Sequence, residues 1–402
     1  MFFVKKFLHG IVIRLTRLFS GLMPDRVPLT FLGSSAVGEL FEAMAQTGSR
    51  RVLIVTDEGL VQTGWVSRIS EAIQAAQMEP FVYSGVQPDP TFDHVEEGMA
   101  LFKEKNCDAI LALGGGSSMD AAKVIAAATQ NGEDARKLEG IMKVKRPPCT
   151  LCAIPTTAGT GSEATIAAVI SEPETHVKKF FVDPKILPEM VALDSSLMLD
   201  LPPAITAATG MDALTHAVES IVARTSRNQT ERWAFSAIDL IFEHLPRAYA
   251  EGHDEVARRG MALAAYYAGL AFTRTSVGYV HAIAHTFGAY YRTPHGLANA
   301  IALPHVLEVS KAECTAPLAR MADRLGLKGA DDGEKSDRVI EAIRNLMHQI
   351  DIPENLEALR EDDIAAITRQ ALAEAHLNYP VPRYLGQAEG EKLVRTMLGR
   401  VA

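Results

Sequence analysis

The stretch DAILALGGGSSMDAAK (108–123) decides the fold. Ala109 to Leu113 form an unbroken apolar run, as a strand buried on both faces requires. Gly114, Gly115 and Gly116 end that run, and the residues from Ser117 onward have the composition of a helix. Strand, glycine turn and helix in this order are half of a βαβ unit, so the strand is expected in a parallel sheet. The glycines let backbone amides come close to an anion, and the start of the following helix adds a positive field. Glycine turns also occur merely to close a βα connection, so this stretch alone does not establish a diphosphate site.

Similar short apolar runs recur at 51–56, 81–84, 150–155 and 190–194, with helix-like segments at 58–77, 92–105 and 117–130 between them. That alternation predicts an α/β domain over residues 27–200. RVLIVTDEG places Asp57 at the end of an earlier strand, where a carboxylate accepts hydrogen bonds from a ribose and repels an added 2′-phosphate. The cofactor this favours is NAD over NADP. IPTTAGTGSE (154–163) is a further strand end followed by Thr156, Thr157, Thr160 and Ser162, hydroxyls suited to phosphate and sugar contacts. In the usual Rossmann fingerprint the acid follows the glycines by roughly 20 positions. Asp57 precedes them here, so a different dinucleotide-binding fold is expected.

After Pro202 and Pro203 the texture changes to long Ala-, Leu- and Met-rich stretches with helical periodicity, predicting an all-α domain over 201–402. TGMDALTHAVES (209–220) sets Asp212 and His216 four apart on one helix face. GYVHAIAHTFGAYYRTPHG (278–296) repeats that spacing with His281 and His285 and adds His295 at the start of another helix. A lone histidine on an apolar helix, such as His253 or His305, is more often a satisfied core residue than a ligand. Three histidines in this short apolar stretch would be costly to bury without a shared purpose. Four of these five residues give one carboxylate and three neutral imidazoles, a set suited to Fe²⁺ or Zn²⁺ with room for a substrate oxygen.

Composition excludes several classes. The 402-residue chain is 48% apolar and 22% charged, which is ordinary for a globular protein with two cores. Its net charge of −9 argues against a nucleic-acid partner. Cys107, Cys149, Cys152 and Cys314 are too few for a secreted disulfide framework, so a reducing cytoplasm is expected, with the Cys149/Cys152 pair read as core. Residues 1–26 read as a basic amphipathic N-terminal helix. Val4, Phe7, Leu8, Ile11, Leu15, Leu18 and Leu22 share one face, while Lys5, Lys6, His9 and Arg17 lie opposite. The charges rule out a comfortable transmembrane span, leaving either a peripheral membrane contact through residues 1–22 or packing on protein.

The motifs GGGSSMDAAK, PTTAGTGSEAT, VDPKILP, ATGMDALTHAVE and HAIAHTFGAYYRTPHGLANA together resemble the iron-containing (group III) alcohol dehydrogenases. These are relatives of glycerol dehydrogenase and dehydroquinate synthase, and the likeness spans nearly the whole chain after residue 27. It implies a dehydroquinate synthase-like fold, an α/β dinucleotide-binding domain followed by a helical one, in a homodimer. It also implies alcohol/aldehyde interconversion by hydride transfer to or from NAD, with a divalent metal, Fe²⁺ ahead of Zn²⁺, activating the alcohol oxygen. By the resemblance Asp212, His216, His281 and His295 are the metal ligands, and His285 is the non-ligand histidine near substrate, a candidate for the proton. Asp57, Gly115, Gly116, Ser117, Asp120, Thr156, Thr157, Thr160 and Lys179 fall on its cofactor contacts. The competing readings are a dehydroquinate synthase-like lyase, a glycerol dehydrogenase-like zinc enzyme, and a metallohydrolase. The last leaves Asp57 and the glycine turn unexplained.

Overall fold

The computed structural model describes residues 9–11, 13, 14, 17, 26–132, 134–175 and 177–399. Two compact units are present, one formed by Arg26–Asp200 and the other by Leu201–Ala402 together with the N-terminal segment. In the first unit the strands are β1 (Leu29–Leu32), β2 (Arg51–Val55), β3 (Glu79–Tyr83), β4 (Ala109–Gly114), β5 (Gly140–Ile141), β6 (Thr150–Pro155), β7 (Ala167–Ser171), β8 (Lys178–Val182) and β9 (Met190–Leu193). Its helices are α1 (Ala36–Gln46), α2 (Glu58–Gln62), α3 (Trp65–Ala75), α4 (Phe92–Glu104) and α5 (Gly116–Gln130).

Six strands form a wholly parallel sheet in the order β1-β9-β6-β4-β2-β3. Its central strands are buried from Val52 to Val55 and from Ala109 to Gly114, which explains the unbroken apolar sequence of those runs. Leu40, Phe41 and Met44 of α1 and Ile69 and Ile73 of α3 pack with Ile54, Leu111 and Ile154 of the sheet. The register pairs Val55 with Ala112 and Gly114 with Pro155. The chain therefore leaves β2, β4 and β6 at the same edge of the sheet, carrying Asp57, the glycine turn and the threonine loop there.

Several elements differ from the sequence expectation. β1 and helix α1 were not anticipated, nor was a second, small sheet in the order β5-β8-β7, in which β7 and β8 run antiparallel. The segment expected as one helix over 58–77 is two, because Gly64 adopts a left-handed conformation with φ of 81° and the chain turns there.

The second unit contains α6 (Pro203–Val222), α7 (Asn228–Ala250), α8 (Glu255–Thr275), α9 (Tyr279–Tyr291), α10 (His295–Arg324), α11 (Asp332–Gln349), α12 (Ile364–Asn378) and α13 (Gln387–Arg395). Helix α6 is its centre, packed against α7, α8 and α10 and buried along nearly its whole length. Of the expected N-terminal helix face, Val4, Phe7, Leu8, Leu15, Leu18 and Leu22 lie outside the described residues, while His9 and Ile11 are placed opposite to expectation. His9 is 8% exposed and Ile13 5%, whereas Ile11 is 39% exposed. His9 can face inward because its Nδ1 meets the carbonyl of His376 at 3.0 Å and its ring packs beside Tyr384. No helix among the described residues is long and apolar enough to cross a membrane.

Candidate active site: the glycine turn and the Asp–His cluster

At the sheet edge, Gly114 has a φ of +146°, and a Cβ there would lie 2.7 Å from Ser118 Oγ, so only glycine fits. Gly115 caps α5, and the first turn of that helix carries Ser117. Thr157 and Thr160 cover Gly115 and Gly116, since Cβ atoms on those glycines would come 3.4 Å from Thr157 Oγ1 and 3.1 Å from Thr160 Oγ1. Thr156 is tied to the turn by its amide, 3.0 Å from the Gly114 carbonyl. Asp57 caps α2, its Oδ1 accepting from Leu60 N at 2.9 Å, while Oδ2 lies on the Gly114 side. Asp57, the glycines and the threonines are thus brought together.

Asp120 and Lys179 have other partners. The Asp120 carboxylate accepts from Ser162 Oγ at 2.7 Å and from Val169 N at 2.9 Å, and burial raises its pKa. Lys179 sits on β8 with its ammonium 3.2 Å from Glu139. Beneath the turn, Lys123 is 1% exposed and donates to Ser162 Oγ, Thr165 Oγ1 and the Ala167 carbonyl, each at 2.8 Å. Burial lowers it to about 8, against the pull of Asp120 and Glu163, and burial likewise pushes Glu163 up to about 7. This network ties α5 to the threonine loop. The cysteines are free, and burial raises the pKa of Cys149 to about 12 and of Cys152 further, as expected of inert core thiols.

In the helical unit, Asp212 and His216 project from α6, His281 from α9 and His295 from the first position of α10. Ligand atoms of Asp212, His216 and His281 all lie within 4.8 Å of one another. His216 Nε2 is 3.0 Å from His281 Nε2, and His295 Nε2 is 3.5 Å from Asp212 Oδ1. Asp212, His216 and His281 are 2%, 5% and 3% exposed, while the His295 side chain is 39% exposed and forms the open side. Close approach of two helices makes this possible: a Cβ on Gly296 would lie 2.2 Å from the Ala208 carbonyl oxygen, so α10 starts directly against the backbone of α6. His216 is fixed by stacking on Phe272, with ring centroids 4.1 Å apart.

The donor set fits a divalent cation. Burial, then repulsion from His216, His295 and His285, holds His281 well below the ordinary histidine pKa, which favours the neutral imidazole that metal binding requires. Its Nδ1 is directed to Glu219, which turns Nε2 toward His216 Nε2, 3.0 Å away, and the amide nitrogen of Asn299, 3.2 Å away; ring nitrogens and a carboxylate converging in this way suit a shared cation. Glu219 also accepts from Gly278 N and Val280 N, both at 2.8 Å, and burial pushes it up to about 8 against those donors. His285 stands beside the cluster, its ring 5.4 Å from that of His295. Its Nδ1 is 2.7 Å from Glu374 Oε1, which also accepts from Tyr379 Oη at 2.6 Å.

Comparison with known proteins gives the same chemistry a family. Iron-containing alcohol dehydrogenase matches residues 28–195, and the C-terminal domain of that family matches 206–398. The chain belongs to the iron-containing alcohol dehydrogenases. Among relatives of this alcohol dehydrogenase, alcohol dehydrogenase 4 of Saccharomyces cerevisiae is 37% identical, covering 88% of this chain and 93% of that protein. NAD-dependent methanol dehydrogenase of Bacillus methanolicus is 38% identical, covering 86% and 91%. The crystal structure of a 1,3-propanediol oxidoreductase superposes with a TM-score of 0.89 at 36% identity, covering 92% and 98%. The architecture, a parallel α/β unit followed by a helical one, is that of this family.

Three residues of the enzyme escaped the sequence reading. Glu219 follows Asp212 and His216 at i+7 on the same helical stripe, a signal that was present in ATGMDALTHAVE. Asn299, fully buried, lies four residues after His295, and its amide nitrogen is 2.7 Å from Asp212 Oδ1. Glu374 reaches His285 from 89 residues away, and no local pattern announces it.

Proposed function

We propose that the enzyme interconverts an alcohol and its aldehyde with NAD as hydride carrier, at a metal centre held by Asp212, His216, His281 and His295. The observation that carries the reading is the convergence of one carboxylate and buried imidazoles at ligand distances in a family of alcohol dehydrogenases. When bound, the metal supplies Lewis-acid stabilisation to an alcohol oxygen and the nicotinamide supplies the hydride acceptor. Three imidazole nitrogens and one carboxylate favour Fe²⁺ or Zn²⁺ by their softness, and the family favours Fe²⁺.

Gly115, Gly116 and Ser117 offer amides to a diphosphate at the start of α5, with Thr156, Thr157 and Thr160 as hydroxyl and amide donors beside them. Asp57 takes the ribose, and Asp120 and Lys179 complete the set, Asp120 by holding the loop at Ser162. His285 is the proton acceptor in this reading. Glu374 accepts its Nδ1 proton, which leaves Nε2 as the basic nitrogen. The exposed side of the cluster at His295 admits a small alcohol or aldehyde. A homodimer in the cytoplasm is the assembly that family membership favours. The buried His9 and Ile13 support docking of that part of the chain on protein over a membrane contact.

The test is incubation of anaerobically purified protein with NAD⁺ and a panel of primary alcohols, following reduced nicotinamide, with metal content measured on the same sample. Net reduction by metal-loaded protein that disappears on chelation is expected. Conversion of substrate without net NADH would make the protein a lyase and sink the reading.

A further inference from the structure

Helix α6 carries more than two candidate ligands. Asp212, His216 and Glu219 stand at i, i+4 and i+7, one stripe of a helix that is buried along this stretch. The first two point ligand atoms at each other, and Glu219, 5% exposed, reaches across to the neighbouring helix α9. There it accepts from three donors: Gly278 N at 2.8 Å and His281 Nδ1 at 2.7 Å on Oε2, and Val280 N at 2.8 Å on Oε1. Gly278 caps α9 and Val280 is in its first turn, so the carboxylate takes up backbone amides that no intrahelical carbonyl serves. One side chain of α6 thereby fixes where α9 begins and how the His281 ring is turned.

We infer that Glu219 is the positioning residue of the metal centre, indexing His281 on α9 to Asp212 and His216 on α6 and keeping the proton of that imidazole on Nδ1. The inference rests on the metal-centre reading above. Its physical content is preorganisation: a histidine free to rotate or to carry its proton on Nε2 must be turned or deprotonated before it can bind a cation, and that weakens binding. A carboxylate meets all three N–H groups as an acceptor, whereas a carboxamide has one acceptor atom and one NH₂. In Glu219→Gln the NH₂ faces either a backbone N–H or the His281 ring. The second arrangement inverts the tautomer and points a proton at His216.

A second variant perturbs the same contact without touching the charge. Gly278 has φ of −145°, outside the left-handed region, but a Cβ there would lie 2.8 Å from Glu219 Oε1, so Gly278→Ala displaces the carboxylate from His281.

The experiment uses the full chain stripped of metal and titrated with Co²⁺ against a competing chelator, reading both the affinity and the visible absorption of the bound ion. Failure of the unaltered chain to bind one Co²⁺ would overturn the metal-centre reading itself. Given binding by the unaltered chain, both variants are expected to bind about 10- to 100-fold more weakly and with an altered visible spectrum. Affinity and spectrum unchanged in a folded variant would overturn the inference, leaving Glu219 as a helix cap that affects only metal-free stability. Should Glu219→Gln fail to fold, Gly278→Ala alone decides.

Discussion

Replacing Asp57 by Asn should move the coenzyme preference of the enzyme from NAD toward NADP without disturbing the fold. Asn is the informative choice because Asp57 has two tasks. Its Oδ1 caps α2 through Leu60 N at 2.9 Å, and an Asn oxygen caps a helix about as well as Asp. What changes is the charge on the side toward the glycine turn. A hydrogen bond to a charged acceptor contributes about 1.5–3 kcal/mol against about 1 kcal/mol for a neutral one, so NAD should lose about 1 kcal/mol. Two unit charges 4 Å apart repel by about 1 kcal/mol in water and about 4 kcal/mol at an effective dielectric of 20. For a partly buried carboxylate facing a phosphate, relief of about 2 kcal/mol in favour of NADP lies between these limits. The two effects together give about 3 kcal/mol, on the order of a 100-fold change in the ratio of kcat/KM values. The assay is initial-rate measurement with NAD⁺ and NADP⁺ at one fixed alcohol, alongside thermal denaturation. A ratio that moves by less than about threefold in a variant of unchanged stability would remove Asp57 from the ribose site.

Gly296→Ala sets a Cβ 2.2 Å from the Ala208 carbonyl oxygen, so α10 must retreat from α6 and take His295 with it; metal content per chain should fall, and overpacking should destabilise by about 1–3 kcal/mol in thermal unfolding. Lys123→Met leaves the buried Asp120 and Glu163 carboxylates without their cation; a loss of about 3–5 kcal/mol is expected, partly recovered by adding Glu163→Gln, and equal stability of single and double variants would refute the account. Deletion of residues 1–22 removes His9 from its contact with His376; lower thermal stability with unchanged sedimentation on anionic vesicles is expected, and loss of vesicle binding would revive the membrane reading.

Legibility in the sequence followed burial and chain distance. The runs around β2, β4, β6 and β9 could be read because each is buried on both faces and therefore continuously apolar. β1 could not, since it is an edge strand with Leu29 57% and Leu32 46% exposed and only four residues long. The small sheet escaped for a similar reason: β5 has two residues, and β8 alternates Phe180 outward with Phe181 inward. In the N-terminal segment the helical wheel assigned His9 to the polar face because it treats a histidine as polar everywhere; a single bond to a remote carbonyl reversed the assignment.

The same division runs through the site. Asp212 with His216, and His281 with His285, are local pairs that the helix repeat makes visible. What holds them is mostly nonlocal: Glu219 acts on His281 across 62 residues, Asn299 on Asp212 across 87, and Glu374 on His285 across 89. A metal centre needs ligand types, which a sequence advertises, and ligand orientation, which arises only where helices cross. Glu219 stands at the junction of the two, being local to its own ligand pair and remote from the histidine it orients. A carboxylate that continues an i, i+4 ligand pair to i+7 on a buried helix is therefore a sequence signal for the orienting residue, provided a neighbouring helix begins within its reach.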